Sequence, residues 1–224
     1  LGLVAKVAKS EGEEGLKKLT LIPGRPVKPM LAQLSRSVEE SIGEMGCALC
    51  ETKYDGFRTQ FHKNGDEITL FTRRLENVTL AFPDAIEVIR EGFPNEDFIA
   101  EGEIIGFKDG KPQPFQNVLQ RVRRKYDIHE AMKNVPIKIF LYDLLYFKEP
   151  TVDEPILKRR EILESVVDCS NPKLNLSESV KVGVENIDDA IDLFEKSIEG
   201  GHEGIMIKDC NEPYIPGIRG KKML

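Results

Sequence analysis

The chain has 224 residues, 31% of them charged, and its formal net charge is −6. This length is within reach of one large domain with a sizeable core. We expect a soluble intracellular protein, because no stretch approaches the ~20 apolar residues of a membrane span and the N-terminus does not resemble a secretory signal.

The four cysteines do not indicate a metal site. Cys47 and Cys50 form a close pair, but a zinc site of this kind needs a second nearby pair, and Cys169 and Cys210 stand alone in the sequence. We expect ordinary reduced cysteines.

Residues 53–58, KYDGFR, place one cation before a turn signal and another after it. Side chains alternate faces along a strand, so residues five apart point in opposite directions. Lys53 and Arg58 can therefore face one ligand only if the chain bends, and Asp55-Gly56 predicts such a bend. We expect a strand that ends near Lys53, a second strand that starts near Phe57, and both cations in one pocket. The motif by itself leaves an ordinary surface hairpin open as the alternative.

A lysine at such a bend can act as a nucleophile toward a phosphate. An amine attacks only as the free base, so the pKa of about 10.4 that lysine has in water must be lowered by partial burial or a neighbouring cation. Arg58 can supply this cation, and its planar guanidinium can also bind phosphate oxygens.

The hydrophobic patterns predict an α+β fold with antiparallel β-sheets flanked by helices. Asn64-Gly65 predicts a hairpin between strands 57–62 and 67–72, and a further strand is predicted over 98–107. Pro155 opens a helix. A second helix is predicted to end at Gly200-Gly201, and we assign to the core the apolar face formed by Ile187, Ala190, Ile191, Phe194 and Ile198.

Two glutamate segments are candidates for ligand binding. Glu103 lies in an otherwise apolar strand with Glu101 on the same face, and Gly102 between them would permit close approach of a ligand to the backbone. The alternative is an exposed strand face. Glu203 and Lys208 are five apart, so one of them must lie outside the regular strand, and the glycines near Glu203 indicate that it precedes the strand. A plain surface lysine remains the alternative for Lys208.

One short run is strongly basic although the chain is acidic. It consists of Arg121, Arg123, Arg124 and Lys125. Phosphate contacts need clustered Lys and Arg, so this run is a candidate for contact with a nucleic-acid backbone. A solvated face is the alternative.

Five segments resemble, in the expected order, the motifs of the covalent nucleotidyltransferases, which include DNA ligases, RNA ligases and mRNA capping enzymes. Residues 53–58 resemble motif I, whose lysine carries AMP or GMP. The others resemble motifs Ia, III, IIIa and IV: 71–79 (FTRRLENVT), 101–105 (EGEII), 142–146 (YDLLY) and 203–208 (EGIMIK). Residues 25–32 (RPVKPMLA) resemble the entry into the adenylation domain of ATP-dependent DNA ligases, and residues 114–127 are similar to a segment of the archaeal and eukaryotic enzymes.

The resemblance implies the nucleotidyltransferase fold of a ligase adenylation domain over 23–224, with 1–22 as the tail of a preceding DNA-binding domain or linker. It implies that Lys53 attacks the α-phosphate of ATP, with Mg²⁺, to form lysyl-AMP. The parent enzyme would use this AMP to seal nicks in double-stranded DNA during replication, repair and recombination. A sliding clamp would be a partner of the full-length enzyme, without membrane association. The expected location is the cytoplasm (nucleoid) in an archaeon and the nucleus in a eukaryote.

The resemblance also implies roles for individual residues around the base and sugar. Glu51 matches the family residue at the adenine edge. Tyr142 stands where the family usually has phenylalanine, and either ring can stack on a purine. Arg73 matches an arginine near the ribose or the nick phosphate. Glu103 matches a residue that contacts the ribose hydroxyls or the metal.

For the phosphates and the metal, the resemblance points to Glu203 as a metal ligand and to Lys208 as an α-phosphate contact. Arg58 and Arg219 would also hold phosphate. Arg219 matches the arginine before motif V, and by this resemblance the sequence stops just before the motif V lysines. We therefore expect a domain truncated before motif V and the oligonucleotide-binding-fold domain. An RNA ligase, a capping-type enzyme, or a catalytically silent nucleotide- or DNA-binding fragment remain alternatives.

Overall fold

The computed structural model describes residues 2–17, 20–123, 127–220 and 222–224, with residues 2–4, 15–17 and Arg123 described by their backbone alone. The helices described are α1 (Gly2–Lys17), α2 (Val38–Met45), α3 (Pro83–Gly92), α4 (Phe115–Arg123), α5 (Ile128–Asn134), α6 (Ile156–Val166) and α7 (Asp188–Glu199). Short 3₁₀ turns span Thr79–Ala81 and Val184–Asn186. None of the described helices is long and apolar enough to cross a membrane.

The described strands form two sheets. They are β1 (Cys47–Thr52), β2 (Phe57–Asn64), β3 (Glu67–Thr72), β4 (Phe98–Lys108), β5 (Lys111–Gln113), β6 (Ile137–Phe147), β7 (Glu149–Pro150), β8 (Leu174–Leu176), β9 (Ser179–Gly183) and β10 (Ile205–Asp209). The large sheet has the order β3-β2-β4-β6-β7, with β5 beside β4 and β8 beside β6, and the small sheet has the order β10-β1-β9. Among these described strands, only β6 and β8 pair in parallel.

Local sequence signals account for several boundaries. The β2–β3 hairpin closes where Asn64 pairs with Glu67, and Gly65 takes a φ of 57° that favours glycine. Helix α6 follows Pro155, and α7 ends before Gly200. These observations confirm the predicted α+β class and four predicted elements: the hairpin at Asn64-Gly65, the strand around 98–107, the helix after Pro155 and the helix that ends at Gly200.

The segment 53–56 connects the two sheets. It follows β1, which pairs only with β9 and β10, and it precedes β2, which pairs only with β3 and β4 among the described strands. The bend at Asp55-Gly56 is therefore not a surface hairpin. It is the crossing from the small sheet to the large sheet, and this crossing puts the space between the sheets beside Lys53.

Separate hydrophobic clusters support the two sheets. The large sheet packs against α3 and α4, with Phe61, Phe82 and Phe98 fully buried in its core. The small sheet packs one face against α2 and α7 through Ile42, Ala48 and Ala190. Its other face is left to face the large sheet across a cavity.

The predicted core face of α7 is wrong in part. Phe194 and Ile198 are 40% and 49% exposed, whereas the buried residues of the helix are Ala190, Leu193 and Ser197. The buried face of α7 is therefore turned away from the apolar face predicted from the sequence. The side that packs on the small sheet includes the small polar residue Ser197.

The prediction of reduced cysteines is wrong for Cys47 and Cys210. Cys47 begins β1 and Cys210 follows β10, and the antiparallel pairing of these strands brings the two Cα atoms to 5.6 Å in a disulfide. The two residues are 163 positions apart in the chain, so only strand pairing reveals their proximity. Among the described residues, the free cysteines are Cys50, which is buried, and Cys169, which is exposed.

Candidate active site

A cavity of about 890 Å³ lies between the two sheets. Its walls come from β1 and β10 of the small sheet and from β2, β4 and β6 of the large sheet. Every residue predicted to contact a nucleotide or metal lines it: Glu51, Lys53, Arg58, Arg73, Glu103, Tyr142, Glu203, Lys208 and Arg219. These residues come from distant parts of the sequence, and the fold brings them together.

Lys53 and Glu203 are positioned by an extension of the small sheet. The Lys53 N–H donates to the Gly204 carbonyl at 2.8 Å, and the Glu203 N–H donates to the Lys53 carbonyl at 2.9 Å. The two side chains form an ion pair at the cavity, each slightly less than half exposed. Glu203 precedes β10 and Lys208 lies near the end of that strand, which confirms the placement predicted from their spacing.

Gly56 allows the crossing segment to lie directly on β4. A Cβ atom at this position would lie 2.6 Å from Cγ of Glu103 and 2.9 Å from the carbonyl oxygen of Ile104. These distances are shorter than ordinary contacts, so the bend that carries Lys53 approaches the strand that carries Glu103 as closely as glycine permits.

Arg58 is fixed by buried partners. Its Nη2 donates to Oε2 of Glu101 at 2.7 Å and its Nη1 donates to the Met30 carbonyl at 2.9 Å. Burial opposes the positive charge, but the Glu101 carboxylate raises the pKa of Arg58 well above its ordinary value. The Nε donor is buried and has no hydrogen-bond partner among the described residues.

Glu101 is a structural centre of the site. It is 1% exposed and accepts hydrogen bonds from Arg58, from Gln60 Nε2 at 2.9 Å and from the Tyr214 hydroxyl at 3.1 Å. The sequence suggested that Gly102 would admit a ligand close to the backbone, and this prediction is wrong. The Phe140 carbonyl of β6 would lie 2.7 Å from a Cβ at that position, so the glycine permits close strand packing at a register shift between β4 and β6.

Glu103 faces the cavity beside Arg58. Burial raises the pKa of its carboxyl to about 8, and the positive charges of Arg58 and Lys53 oppose this shift. A bound cation would also favour the ionised carboxylate. Glu103 is therefore a group whose charge depends on what else the cavity contains.

The small-sheet wall carries a buried pair of opposite charges. Glu51 is 2% exposed and Lys208 is 8% exposed, and their side chains form an ion pair. The Lys208 Nζ also lies 4.9 Å from the centre of the Tyr142 ring. Lys208 is therefore not a plain surface lysine. Burial raises the pKa of Tyr142 well above its ordinary value, so its hydroxyl stays neutral at physiological pH.

The rim of the cavity is positively charged. Arg73 and Arg74 follow β3 and are exposed, and their guanidinium groups have no polar partner among the described residues. Arg219 is also exposed, and its Nη1 donates to the Ala32 carbonyl at 2.7 Å. The motif patterns did not indicate Lys222, whose Nζ donates to Oδ2 of Asp209 at 2.6 Å while the residue lines the same cavity.

The basic run does not form the predicted nucleic-acid surface as a unit. Arg121 is 2% exposed and donates two hydrogen bonds to the Asp84 carboxylate, at 2.5 and 3.0 Å. Its guanidinium is enclosed between α3 and α4, so the prediction that Arg121 contacts DNA is wrong. Arg124, Lys125 and the side chain of Arg123 lie outside the described residues.

The carboxylates of the cavity suit a metal whose remaining ligands come from a substrate. Among the described residues, no group of three or more His, Cys, Asp or Glu side chains could hold a metal ion by itself. Glu103 and Glu203 nevertheless offer hard oxygen donors at one cavity. Mg²⁺ is commonly bound by one or two carboxylates, water and substrate phosphates, and these residues fit that pattern.

Comparisons with known proteins agree with this geometry. A protein-family model described as "ATP dependent DNA ligase domain" matches residues 29–224. The DNA ligases of Methanothermobacter thermautotrophicus and Methanobrevibacter smithii are each 58% identical over 224 residues, which are 100% of this chain but 40% and 41% of those proteins. A solved structure, "mycobacterial DNA ligase D complexed with ATP and MES", has a TM-score of 0.65 at 20% identity, covering 88% of this chain and 58% of that one, and shows a similar fold.

Proposed function

The chain belongs to the ATP-dependent DNA ligase domain family, and on this basis we propose that it forms a lysyl-AMP intermediate on Lys53. Its α+β fold, with two sheets that are antiparallel except for the β6–β8 pair, is that of ligase nucleotidyltransferase domains. The observation that carries the proposal is the cavity in which Lys53 meets four of the predicted cations and three of the predicted carboxylates from separate segments of the chain: Arg58, Arg73, Lys208, Arg219, Glu51, Glu103 and Glu203.

The proposed reaction transfers AMP from ATP to the lysine. The protonated amine, held by Glu203, first gives up a proton. The nitrogen lone pair then attacks the α-phosphorus, the P–O bond to the β-phosphate breaks, and pyrophosphate leaves with the electron pair of that bond. Loss of a second proton from the attacking nitrogen gives a phosphoramidate with a neutral nitrogen, and the phosphate oxygen keeps its negative charge. Positioning and charge neutralisation supply most of the rate gain in such a step.

We assign phosphate binding to cations that surround the nucleophile. The unpartnered Nε donor of Arg58 is free for a phosphate oxygen, and Lys208 lies in the small-sheet wall with Glu51, opposite the Tyr142 ring of the large sheet. Arg219 at the rim would contact the more exposed phosphates. Arg73 would contact the ribose or the nick phosphate, since it is exposed at the cavity edge.

Base and sugar recognition follow from the opposite walls. The Tyr142 ring would stack on adenine, and Glu51 would accept a hydrogen bond from the adenine amino group. Glu103 would contact the ribose hydroxyls or Mg²⁺. When bound by Glu103 and Glu203, Mg²⁺ would supply charge neutralisation for the departing pyrophosphate.

The substrate of the parent protein is proposed by the same reasoning. The relatives named above are DNA ligases, and this chain spans 40% to 41% of their length. We propose that the AMP carried by Lys53 is passed to a 5′-phosphate at a nick in double-stranded DNA, which a 3′-hydroxyl then attacks to form the phosphodiester bond. A sliding clamp as partner of the full-length protein stays a prediction.

Incubation with α-labelled ATP and Mg²⁺, followed by denaturing electrophoresis, tests the proposal. Label should survive denaturation in the wild type, disappear in Lys53→Ala, and persist in Lys173→Ala, which removes an exposed lysine outside the cavity. Labelling by GTP and not by ATP would indicate a capping-type enzyme. If this chain and a longer form that extends beyond Leu224 both stay unlabelled, the proposed mechanism is wrong.

A further inference from the structure

Two residues outside all the sequence motifs hold the carboxylate of Glu51. We propose that Arg160, from α6, and Ser177, from the segment before β9, position Glu51 so that the cavity prefers a purine with an amino group at C6, as in adenine. The inference rests on the proposed adenylation function. Arg160 and Ser177 are positioning residues in this proposal, because they act on the base through Glu51.

Both residues meet the same oxygen of Glu51. Arg160 Nη1 donates to Oε1 of Glu51 at 3.3 Å and to the Ser177 hydroxyl at 2.7 Å. The Ser177 hydroxyl therefore receives a hydrogen bond from Arg160 and directs its own proton to Oε1 of Glu51, at 3.2 Å. Arg160 Nη2 also donates to the Ser177 carbonyl at 2.8 Å, which ties this segment to α6.

This arrangement leaves one acceptor site on Glu51. A carboxylate oxygen has two lone-pair sites. Both sites on Oε1 are occupied by Arg160 and Ser177, and Oε2 is paired with Lys208. The remaining lone pair on Oε2 is therefore the position at which Glu51, which lines the cavity, can accept a hydrogen bond from a ligand.

An ionised carboxylate accepts hydrogen bonds and donates none. Adenine presents an amino group at C6, whereas guanine presents a carbonyl oxygen there. In one binding orientation the first base would complete the free acceptor of Glu51, and the second would place an oxygen against it. Sites built to hydrogen-bond one group reject an analogue that lacks it, because a buried polar atom is then left unpaired.

The position of the carboxylate matters as much as its charge. Arg160 and Ser177 are 6% and 2% exposed, so they form a rigid support that solvent does not replace. Loss of either support would release Oε1, so that the carboxylate could rotate and would no longer hold the remaining lone pair of Oε2 toward the base. Arg160→Lys keeps a positive charge but loses the planar fork that spans Glu51 and Ser177.

The test measures binding, so that it does not depend on the chemistry of Lys53. Dissociation constants for ATP and for purine riboside triphosphate, which lacks the C6 amino group, are compared by calorimetry in the Lys53→Ala variant. The same pair is measured after adding Ser177→Ala, Arg160→Lys or Glu164→Gln. Glu164 is the matched control, because its Oε1 accepts from Arg160 Nε at 2.6 Å without contacting Glu51.

We expect the preference for ATP to fall about 10-fold or more with Ser177→Ala and with Arg160→Lys, and to stay unchanged with Glu164→Gln. In these two variants only the binding of ATP should weaken, and the dissociation constant for purine riboside triphosphate should stay the same. Equal weakening for both nucleotides, or an unchanged preference, would overturn the inference. The two proposals can fail separately. If the wild type is never labelled by ATP but the dissociation constants change as expected here, the proposed adenylation is refuted and this inference stands.

Discussion

The buried ion pair between Arg121 and Asp84 predicts a large loss of stability when one partner is removed. Arg121 also donates to the Ala81 carbonyl at 3.1 Å and lies 4.9 Å from the Phe82 ring. Arg121→Met would keep much of the volume but leave the Asp84 carboxylate, 6% exposed, without its cation. Breaking a buried pair in this way costs roughly 3–5 kcal/mol. In a domain of this size, each kcal/mol corresponds to about 2–4 °C, so Tm should fall by roughly 6–20 °C.

Thermal unfolding followed by circular dichroism measures this change. Arg36→Met is the matched control, since Arg36 is 88% exposed and lies 3.8 Å from Glu40 in a surface pair that is worth about 0.5 kcal/mol. The double variant Arg121→Met/Asp84→Asn removes the buried charge as well and should recover part of the lost Tm. The reasoning is refuted if Arg121→Met melts within about 2 °C of the wild type, or if Asp84→Asn lowers its Tm further.

Three other perturbations test separate features of the molecule. Cys47→Ser should lower the free energy of unfolding by up to about 5 kcal/mol, because the disulfide joins residues that are 163 positions apart. Denaturant titration measures this change, and Cys169→Ser, which removes a free cysteine, should have no effect. Equal losses of stability in the two variants would contradict this account. Burial lowers the pKa of His62 to about 4 from 6.5, so its contribution to stability is complete above pH 6.5 and is lost as pH falls toward 4. His62→Gln should therefore flatten the decline of Tm between about pH 7 and 4.5, and an unchanged slope would argue against a neutral buried imidazole. Gly56→Ala would place a Cβ 2.6 Å from the Glu103 Cγ and so displace the segment that carries Lys53. This variant should slow lysine labelling by about 100-fold with little change in Tm. Labelling at the normal rate would show that the crossing segment tolerates the displacement.

Local patterns predicted the parts of the fold that depend on neighbouring residues. Asn64-Gly65 marked the hairpin between β2 and β3 because a tight turn with positive φ depends on the residues in the turn itself. The spacing of Glu203 and Lys208 placed one before β10 and one within it, since the alternation of side chains is a property of the strand. The motif order also predicted which side chains would line one cavity.

Patterns in the sequence failed where a residue's environment depends on a distant segment. Arg121 belongs to a basic run that predicts an exposed side chain, but it is buried in an ion pair with Asp84 of another helix. Gly102 is required by the Phe140 carbonyl of a neighbouring strand and does not serve a ligand. The positioning partners of Glu51 carry no motif, and their separations from it are 109 residues for Arg160 and 126 for Ser177.

The amino-acid sequence alone indicated the family, the α+β class, the candidate nucleophile Lys53 and nine of the residues that line the cavity. Turn chemistry, strand alternation and motif order carry this information locally. The three-dimensional fold was needed to show that residues 53–56 cross between two sheets, that Cys47 meets Cys210, and which carboxylates are buried with which cations. The physical reason is that strand pairing and burial set these contacts between segments more than a hundred residues apart or on different elements, where no local pattern records the partner.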